Sequence, residues 1–185
     1  DQEARVRGCS VYLPDRVISM LPLPLSAGIC SLNPDVDRCA MVVALDIDQT
    51  GQIVGEHFAA AVIRSHARLD YPGVAMALGG GELRGAHARY REHLPQLKTL
   101  AAIAARLRKR RLERGALDFD LPEAKVVLDE AGGVVRDVMR ARTNPEIREA
   151  YRLVEDCMLA ANEAVARFFK RRELPTVYRV HDVPD

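Results

Sequence analysis

The segment from Gly8 to Arg38 most constrains how this chain folds, because it combines several prolines with many large apolar residues. Proline fixes the backbone φ angle and has no N–H to donate, so neither a long helix nor a central strand can run through the segment. The prolines are Pro14, Pro22, Pro24 and Pro34. The apolar residues, from Val11 to Leu32, are too numerous for a loose solvent loop. We therefore expect this irregular segment to pack against another surface and to shape a site.

Hydrophobic periodicity along the rest of the chain predicts an α+β fold. Strand patterns and helix patterns alternate without a regular βαβ repeat, so we expect a mixed sheet with packed helices. Residues 1–185 are interpreted as a segment of a single domain, cut at both ends. The predicted strands cover 41–47, 52–64, 125–128, 134–139 and 176–180, and the predicted helices cover 69–78, 95–115 and 144–171.

The apolar spacing also predicts which helix faces are buried. For the helix that ends near Gly115, the predicted buried residues are Leu97, Leu100, Ala104 and Leu107. For the helix that begins after Asn144, they are Ile147, Tyr151, Val154, Met158, Ala161, Val165 and Phe168.

Composition predicts a soluble cytoplasmic protein with no contact with a membrane. The chain has 185 residues, 48% of them hydrophobic, and no apolar run long enough to cross a bilayer. Its four cysteines show no C-x-x-C spacing, which favours reduced and mostly buried thiols.

The net charge of +1 hides a basic region between Arg84 and Arg114, where only Glu92 and Glu113 oppose the positive charges. Two interpretations remain open: the region neutralises phosphates, or it is the solvated face of a helix. Its basic residues are Arg84, Arg89, Arg91, Lys98, Arg106, Arg108, Lys109, Arg110, Arg111 and Arg114.

The acidic residues do not predict a metal site. The stretch from Asp46 to Ile53 imitates the start of a calcium-binding EF-hand loop, but His57 stands where that loop needs a bidentate glutamate. An ordinary hairpin turn explains it. Glu155 and Asp156 are neighbours, yet adjacent residues on a helix point about 100° apart and do not easily share an ion.

Five stretches of the chain resemble the ribonuclease II and ribonuclease R family, in family order and at family spacing. They read SVYLPDRVISMLPLPLSAGICSLNPDVDR, AAVIRSHARLDY, RGALDFDLPEAK, LVEDCMLAANEAVARF and LPTVYRVHDVPD. One position departs from the family pattern, because Ala27 stands where the family usually has Asn. The resemblance implies the middle of an RNB domain, the hydrolytic domain of processive 3′-to-5′ exoribonucleases.

The resemblance also implies an activity for the intact enzyme. It would hydrolyse single-stranded RNA to nucleoside 5′-monophosphates with Mg²⁺. The family's magnesium-binding aspartates would lie before Asp1 and its catalytic arginine after Asp185, so we expect neither catalytic nor metal-binding residues in this segment. Two other readings stay open: an RNA-binding module that has lost hydrolysis, and a purely structural interaction domain.

The resemblance implies RNA-binding roles for four residues. Tyr12 and Phe119 match the aromatics that stack on nucleotides near the two ends of the bound RNA. Tyr71 and Glu155 match positions that contact the ribose near the scissile end. From the residues alone, Phe119 could equally be a core residue, because it alternates with Leu117 like a buried strand position.

Four more residues lie inside matched motifs. They are His66, Arg68, Asn162 and His181. We expect His66 and Arg68 to contribute to RNA binding, although phosphate-binding and structural roles suit all four equally well.

Overall fold

The structure is a computed structural model that describes residues 2–117, 123–129, 133–141 and 143–178. Its helices are α1 (Gln2–Arg7), α2 (Tyr71–Leu78), α3 (Tyr90–Glu113) and α4 (Pro145–Arg171), with a π-helical turn at Pro24–Ile29 and a 3₁₀ turn at Gly85–His87. Its strands are β1 (Val11–Tyr12), β2 (Val17–Ile18), β3 (Asp37–Ile47), β4 (Ile53–Arg64), β5 (Ala124–Leu128) and β6 (Val135–Arg140).

The strands form three antiparallel pairs, β1–β2, β3–β4 and β5–β6. The predicted α+β class is confirmed. Where a mixed sheet was expected, however, the described strands form separate hairpins, because a short connection between consecutive strands permits only antiparallel pairing. Parallel pairing in the described part is limited to one isolated bridge, between Pro34 and Ser65. The strand predicted at 176–180 is absent from its described residues, 176–178.

The turn between β3 and β4 confirms the hairpin interpretation. The Asp48 carboxylate accepts hydrogen bonds from the backbone N–H groups of Thr50 (2.8 Å) and Gln52 (2.9 Å). Gly51 has φ +81°, and a Cβ there would lie 2.8 Å from the carbonyl oxygen of Arg106. The turn therefore lies directly against α3, and only glycine satisfies both its conformation and this close approach.

The core lies where α2 meets α3. Ala77, Leu83, Tyr90 and Leu97 are buried there, with partly buried apolar residues of α2 around them. None of the described helices combines the length and the apolar character needed to span a membrane.

The predicted buried face of α4 is only partly confirmed, because five of its seven residues are half-buried and two are exposed. Val154 and Met158 are 48% and 52% exposed, whereas the buried positions are Ala150, Leu153, Asp156, Ala160 and Ala164. Most of these are alanines, which let a helix approach its neighbours closely but carry a weak hydrophobic signal. The larger apolar residues of the sequence pattern therefore favoured a neighbouring side of the helix, which is half-buried rather than fully buried. On α3, burial of Leu97 and Ala104 is confirmed, whereas Leu100 is 37% exposed.

The large apolar side chains of the segment from Gly8 to Arg38 were expected to be buried, but several of them are exposed among the described residues. Leu23, Ile29 and Leu32 are each more than half exposed. The cysteines are free, but the prediction that they are mostly buried is wrong, since Cys9, Cys30 and Cys39 are exposed and Cys157 is intermediate. Two of the exposed cysteines lie in this same segment, and the third follows directly after it.

Candidate nucleic-acid interface

Helix α2 begins at Tyr71 because Asp70 caps it. The Asp70 carboxylate accepts a hydrogen bond from the backbone N–H of Gly73 (2.8 Å), and Pro72 occupies the first turn. This cap satisfies one of the donors left free at a helix start. It therefore sets the residue at which the helix begins, and with it the backbone position of Tyr71.

Tyr90, in the buried core, stabilises this cap. Its ring is fully buried, and its hydroxyl accepts a hydrogen bond from the Asp70 backbone N–H at 3.0 Å. Gly73 lies so close that any Cβ would overlap the Tyr90 hydroxyl. The hydrogen bonds from Gly73 and Tyr90, helped by the nearby Arg89 guanidinium, hold the pKa of the Asp70 carboxyl below its usual value.

Tyr71 stacks on Tyr151 of α4. The ring centroids are 3.6 Å apart and the ring planes differ by 21°. Glu155 is exposed and follows Tyr151 by four residues, which places it on the same side of α4, one turn farther along. The packing of α2 against α4 thus brings the two predicted ribose-contacting residues, Tyr71 and Glu155, to one side of α4.

Tyr151, the stacking partner of Tyr71, was not among the predicted site residues. The sequence pattern placed it in the buried face of α4, and its ring is only partly buried. Nothing in the spacing between Tyr71 and Tyr151 signals their contact, because it depends on how two helices pack.

The predicted stacking residues have different outcomes. Tyr12 lies in β1, opposite Val17 of β2, and is 78% exposed, so its ring is available to a base. Phe119 lies outside the described residues, and its assignment remains a prediction. His181 also lies outside them.

The remaining motif residues are on the surface. His66 and Arg68 lie in the irregular connection between β4 and α2, and Asn162 lies on α4. All three side chains are exposed, and none makes a hydrogen bond or ion pair with another described residue. They are therefore accessible to a ligand.

Part of the basic region joins α3 to α4, which neither interpretation of the sequence anticipated. Arg108 and Arg111 each donate a hydrogen bond of 3.0 Å to the carboxylate of Asp156, whose side chain is 1% exposed. Arg114 pairs with Glu163 at 3.1 Å. A buried carboxylate needs such partners, because an unpaired buried charge is very costly.

Other basic residues of the region keep their charge unpaired within the described part of the chain. They are Arg91, Lys98 and Arg106, whereas the charge of Arg110 acts on the Asp48 carboxylate. These three, rather than the arginines that bind Asp156, are the candidates for phosphate contact.

The described residues do not fit the two-metal site that magnesium-dependent phosphodiester hydrolysis requires. Among them, no group of three or more His, Cys, Asp or Glu side chains is placed to hold a metal ion. Asp156, the buried carboxylate of α4, is occupied by two arginines. No step of hydrolysis through a metal can be assigned to them.

Comparison with known proteins identifies the family. The RNB domain family matches residues 1–185. The chain is 41% identical to ribonuclease R of Escherichia coli and 42% identical to ribonuclease R of Thermotoga maritima; each match covers the whole chain, which spans 22% and 25% of those relatives' lengths. Among solved structures it is similar to Mycoplasma genitalium RNase R in complex with ribose-methylated single-stranded RNA, with a TM-score of 0.86 and 30% identity over 98% of this chain and 27% of that one. The chain belongs to the RNB-domain family of 3′-to-5′ exoribonucleases, the ribonuclease II and ribonuclease R type.

Proposed function

We propose that the protein carrying this chain hydrolyses single-stranded RNA from its 3′ end to nucleoside 5′-monophosphates, and that these residues supply part of the RNA-binding channel and its stacking clamp. The observation that carries the proposal is the placement of Tyr71 and Glu155 on one side of α4, held by the stack of Tyr71 on Tyr151. Family membership supports the reaction type.

Tyr71 and Glu155 are chemically suited to recognise ribose. A 2′-hydroxyl both donates and accepts a hydrogen bond, and it is the group that distinguishes RNA from DNA. A tyrosine hydroxyl can donate and accept, while a carboxylate only accepts. The pair could therefore satisfy a 2′-hydroxyl and would be left without a partner by a deoxyribose.

Stacking and charge supply the affinity that does not depend on base sequence. Tyr12 offers an exposed aromatic ring, and Phe119 is proposed as the second stacking residue. Base stacking on an aromatic side chain tolerates every base, which suits an enzyme that degrades any sequence. His66 and Arg68, exposed and without a described acidic partner, are proposed to contact the phosphate backbone.

Magnesium is implied by the family. We propose that its ligands lie outside this segment, since the described residues offer no suitable carboxylate cluster. When bound, the metal would activate the attacking water and stabilise the leaving oxygen. The residues of this chain would bind and orient the strand.

The test is sugar selectivity of the full-length protein. We expect the double variant Tyr71→Phe/Glu155→Ala still to degrade RNA. It should lose much of the preference for RNA over a DNA oligomer of the same sequence. Each neutral group left unpaired disfavours the deoxy substrate by about 1–3 kcal/mol in the unsubstituted protein. The measurement is the rate of degradation of matched RNA and DNA oligomers by both proteins. An unchanged RNA-to-DNA ratio in a folded, active double variant would show that these residues are scaffold.

A further inference from the structure

We propose that Tyr151 is a specificity-determining positioning residue, which sets the orientation of the Tyr71 ring relative to Glu155 and thereby the preference for ribose over deoxyribose. The inference rests on the proposed function, because it assigns Tyr71 and Glu155 to ribose recognition. It adds a residue to which neither the family resemblance nor the sequence pattern gives a role in RNA binding.

The backbone of Tyr71 is already fixed by other contacts. The Asp70 cap sets the start of α2, and the buried Tyr90 hydroxyl holds the cap. These contacts leave the side-chain torsions of Tyr71 undetermined. A tyrosine side chain has two such torsions; the first sets where the hydroxyl oxygen lies and the second turns the ring about its own axis, so a fixed backbone alone determines neither.

The stack on Tyr151 supplies the missing constraint. With centroids 3.6 Å apart and planes within 21° of parallel, the Tyr151 ring covers one face of the Tyr71 ring. Rotation of Tyr71 about either torsion would lose this contact. Aromatic pairs contribute beyond their buried area, so the stacked orientation is favoured over the alternatives.

Tyr151 also links Tyr71 to Glu155. Both Tyr151 and Glu155 belong to α4, four residues apart, and side chains at this spacing lie next to one another on a helix. Tyr71, by contrast, comes from α2. The Tyr71–Tyr151 stack therefore connects Tyr71, on α2, to α4, the helix that carries Glu155.

The test measures binding, so it does not depend on turnover. Dissociation constants of the full-length protein are measured for a fluorescent single-stranded RNA and for the matched DNA, at fixed salt and with EDTA to prevent cleavage. We expect Tyr151→Ala to reduce the RNA-to-DNA affinity ratio about fivefold to tenfold, the scale of one lost neutral hydrogen bond. Tyr151→Phe retains the ring and should keep the ratio.

A double variant separates positioning from independent contact. If Tyr151 acts through the Tyr71 hydroxyl, the ratio for Tyr151→Ala with Tyr71→Phe should be no lower than for Tyr71→Phe alone, because the group being positioned is already gone. Additive losses would overturn the inference. So would an equal loss in Tyr151→Phe, which would assign the effect to the Tyr151 hydroxyl.

Two further variants control for folding. Tyr151→Leu fills similar space without a ring and should lose selectivity like Tyr151→Ala, even if the alanine variant is unstable. Tyr178→Ala removes a tyrosine that is 48% exposed and is not assigned to RNA binding, and it should leave the ratio unchanged. A folded Tyr151→Leu protein with the unsubstituted ratio would overturn the inference.

The Tyr71→Phe variant reports separately on the proposed function. If the unsubstituted protein prefers RNA and Tyr71→Phe keeps that preference, ribose recognition by Tyr71 fails, and the role of Tyr151 fails with it. If Tyr71→Phe loses the preference and neither Tyr151→Ala nor Tyr151→Leu does, only the positioning role fails.

Discussion

The hydroxyl of Tyr90 accepts a hydrogen bond from the backbone N–H of Asp70, 3.0 Å away and 20 residues earlier in the chain. This contact connects the buried core to the residue that caps α2. Removing the hydroxyl in Tyr90→Phe leaves a partly buried donor without its acceptor, so we expect the free energy of unfolding to fall by about 1 kcal/mol. Urea denaturation measures it. Tyr12→Phe, at a position 78% exposed, is the matched control, and an equal effect of the two substitutions would contradict the prediction.

Asp156 is expected to be the most sensitive carboxylate of α4. Its side chain is 1% exposed and binds both Arg108 and Arg111. Replacing it by asparagine removes the counter-charge of Arg111 and one of the two carboxylates that bind Arg108, which keeps Glu149, and we expect a loss of about 3–5 kcal/mol in the free energy of unfolding. The neighbouring Glu155→Gln, on the exposed side of the helix, should change stability by less than about 0.5 kcal/mol. Comparable losses in the two variants would show that the pairing with arginine contributes little.

Acid should weaken the α2 cap through Asp70. Three interactions lower the pKa of the Asp70 carboxyl in the folded protein: the hydrogen bond from Gly73, the hydrogen bond with Tyr90 and the nearby charge of Arg89. A carboxyl whose pKa is lower when folded contributes stability above its unfolded pKa, and this contribution disappears as the pH falls through the folded value. Asp70→Asn can still cap the helix but does not titrate. We therefore expect the stability difference between the unsubstituted protein and Asp70→Asn to be present near neutral pH and to shrink below about pH 4. Thermal unfolding across this range measures it, and a difference that is independent of pH would contradict the assignment.

Tyr12→Ala should weaken RNA binding without affecting stability. One lost stacking contact is expected to reduce binding by about 1–3 kcal/mol. Because the side chain is 78% exposed, the melting temperature should stay unchanged. For Phe119→Ala we expect the same loss of binding, whereas a core residue at that position would instead lower the melting temperature through a cavity. Binding and melting measured on both variants decide between these outcomes.

The 185-residue chain should not cleave RNA by itself, even with added magnesium. The described residues offer no cluster of carboxylates that could hold two ions. The assay is release of mononucleotides from labelled single-stranded RNA by the purified chain. Release well above that of a protein-free blank and of a mock purification from cells that do not express the chain would show that acids of this segment do converge on a metal.

Local signals determined most of the elements of this protein. Asn144 followed by Pro145 predicted the start of α4, and the structure shows the Asn144 side chain accepting from the N–H groups of Glu146 and Ile147. The turn at Asp48 to Gly51 predicted the β3–β4 hairpin in the same way. Caps and turns are made by residues adjacent in sequence, so their chemistry can be read from sequence alone. The family, too, could be identified from short motifs in order.

Tertiary structure decided which residues meet. The burial of Asp156 depends on Arg108 and Arg111, more than 40 positions earlier, and the stack of Tyr71 on Tyr151 joins residues 80 positions apart. On α4 the periodicity favoured Val154 and Met158, which are exposed, over Ala150, Ala160 and Ala164, which are buried but carry a weaker hydrophobic signal. Periodicity shows that a helix has an apolar stripe, but the shape of the neighbouring helices selects the side that packs.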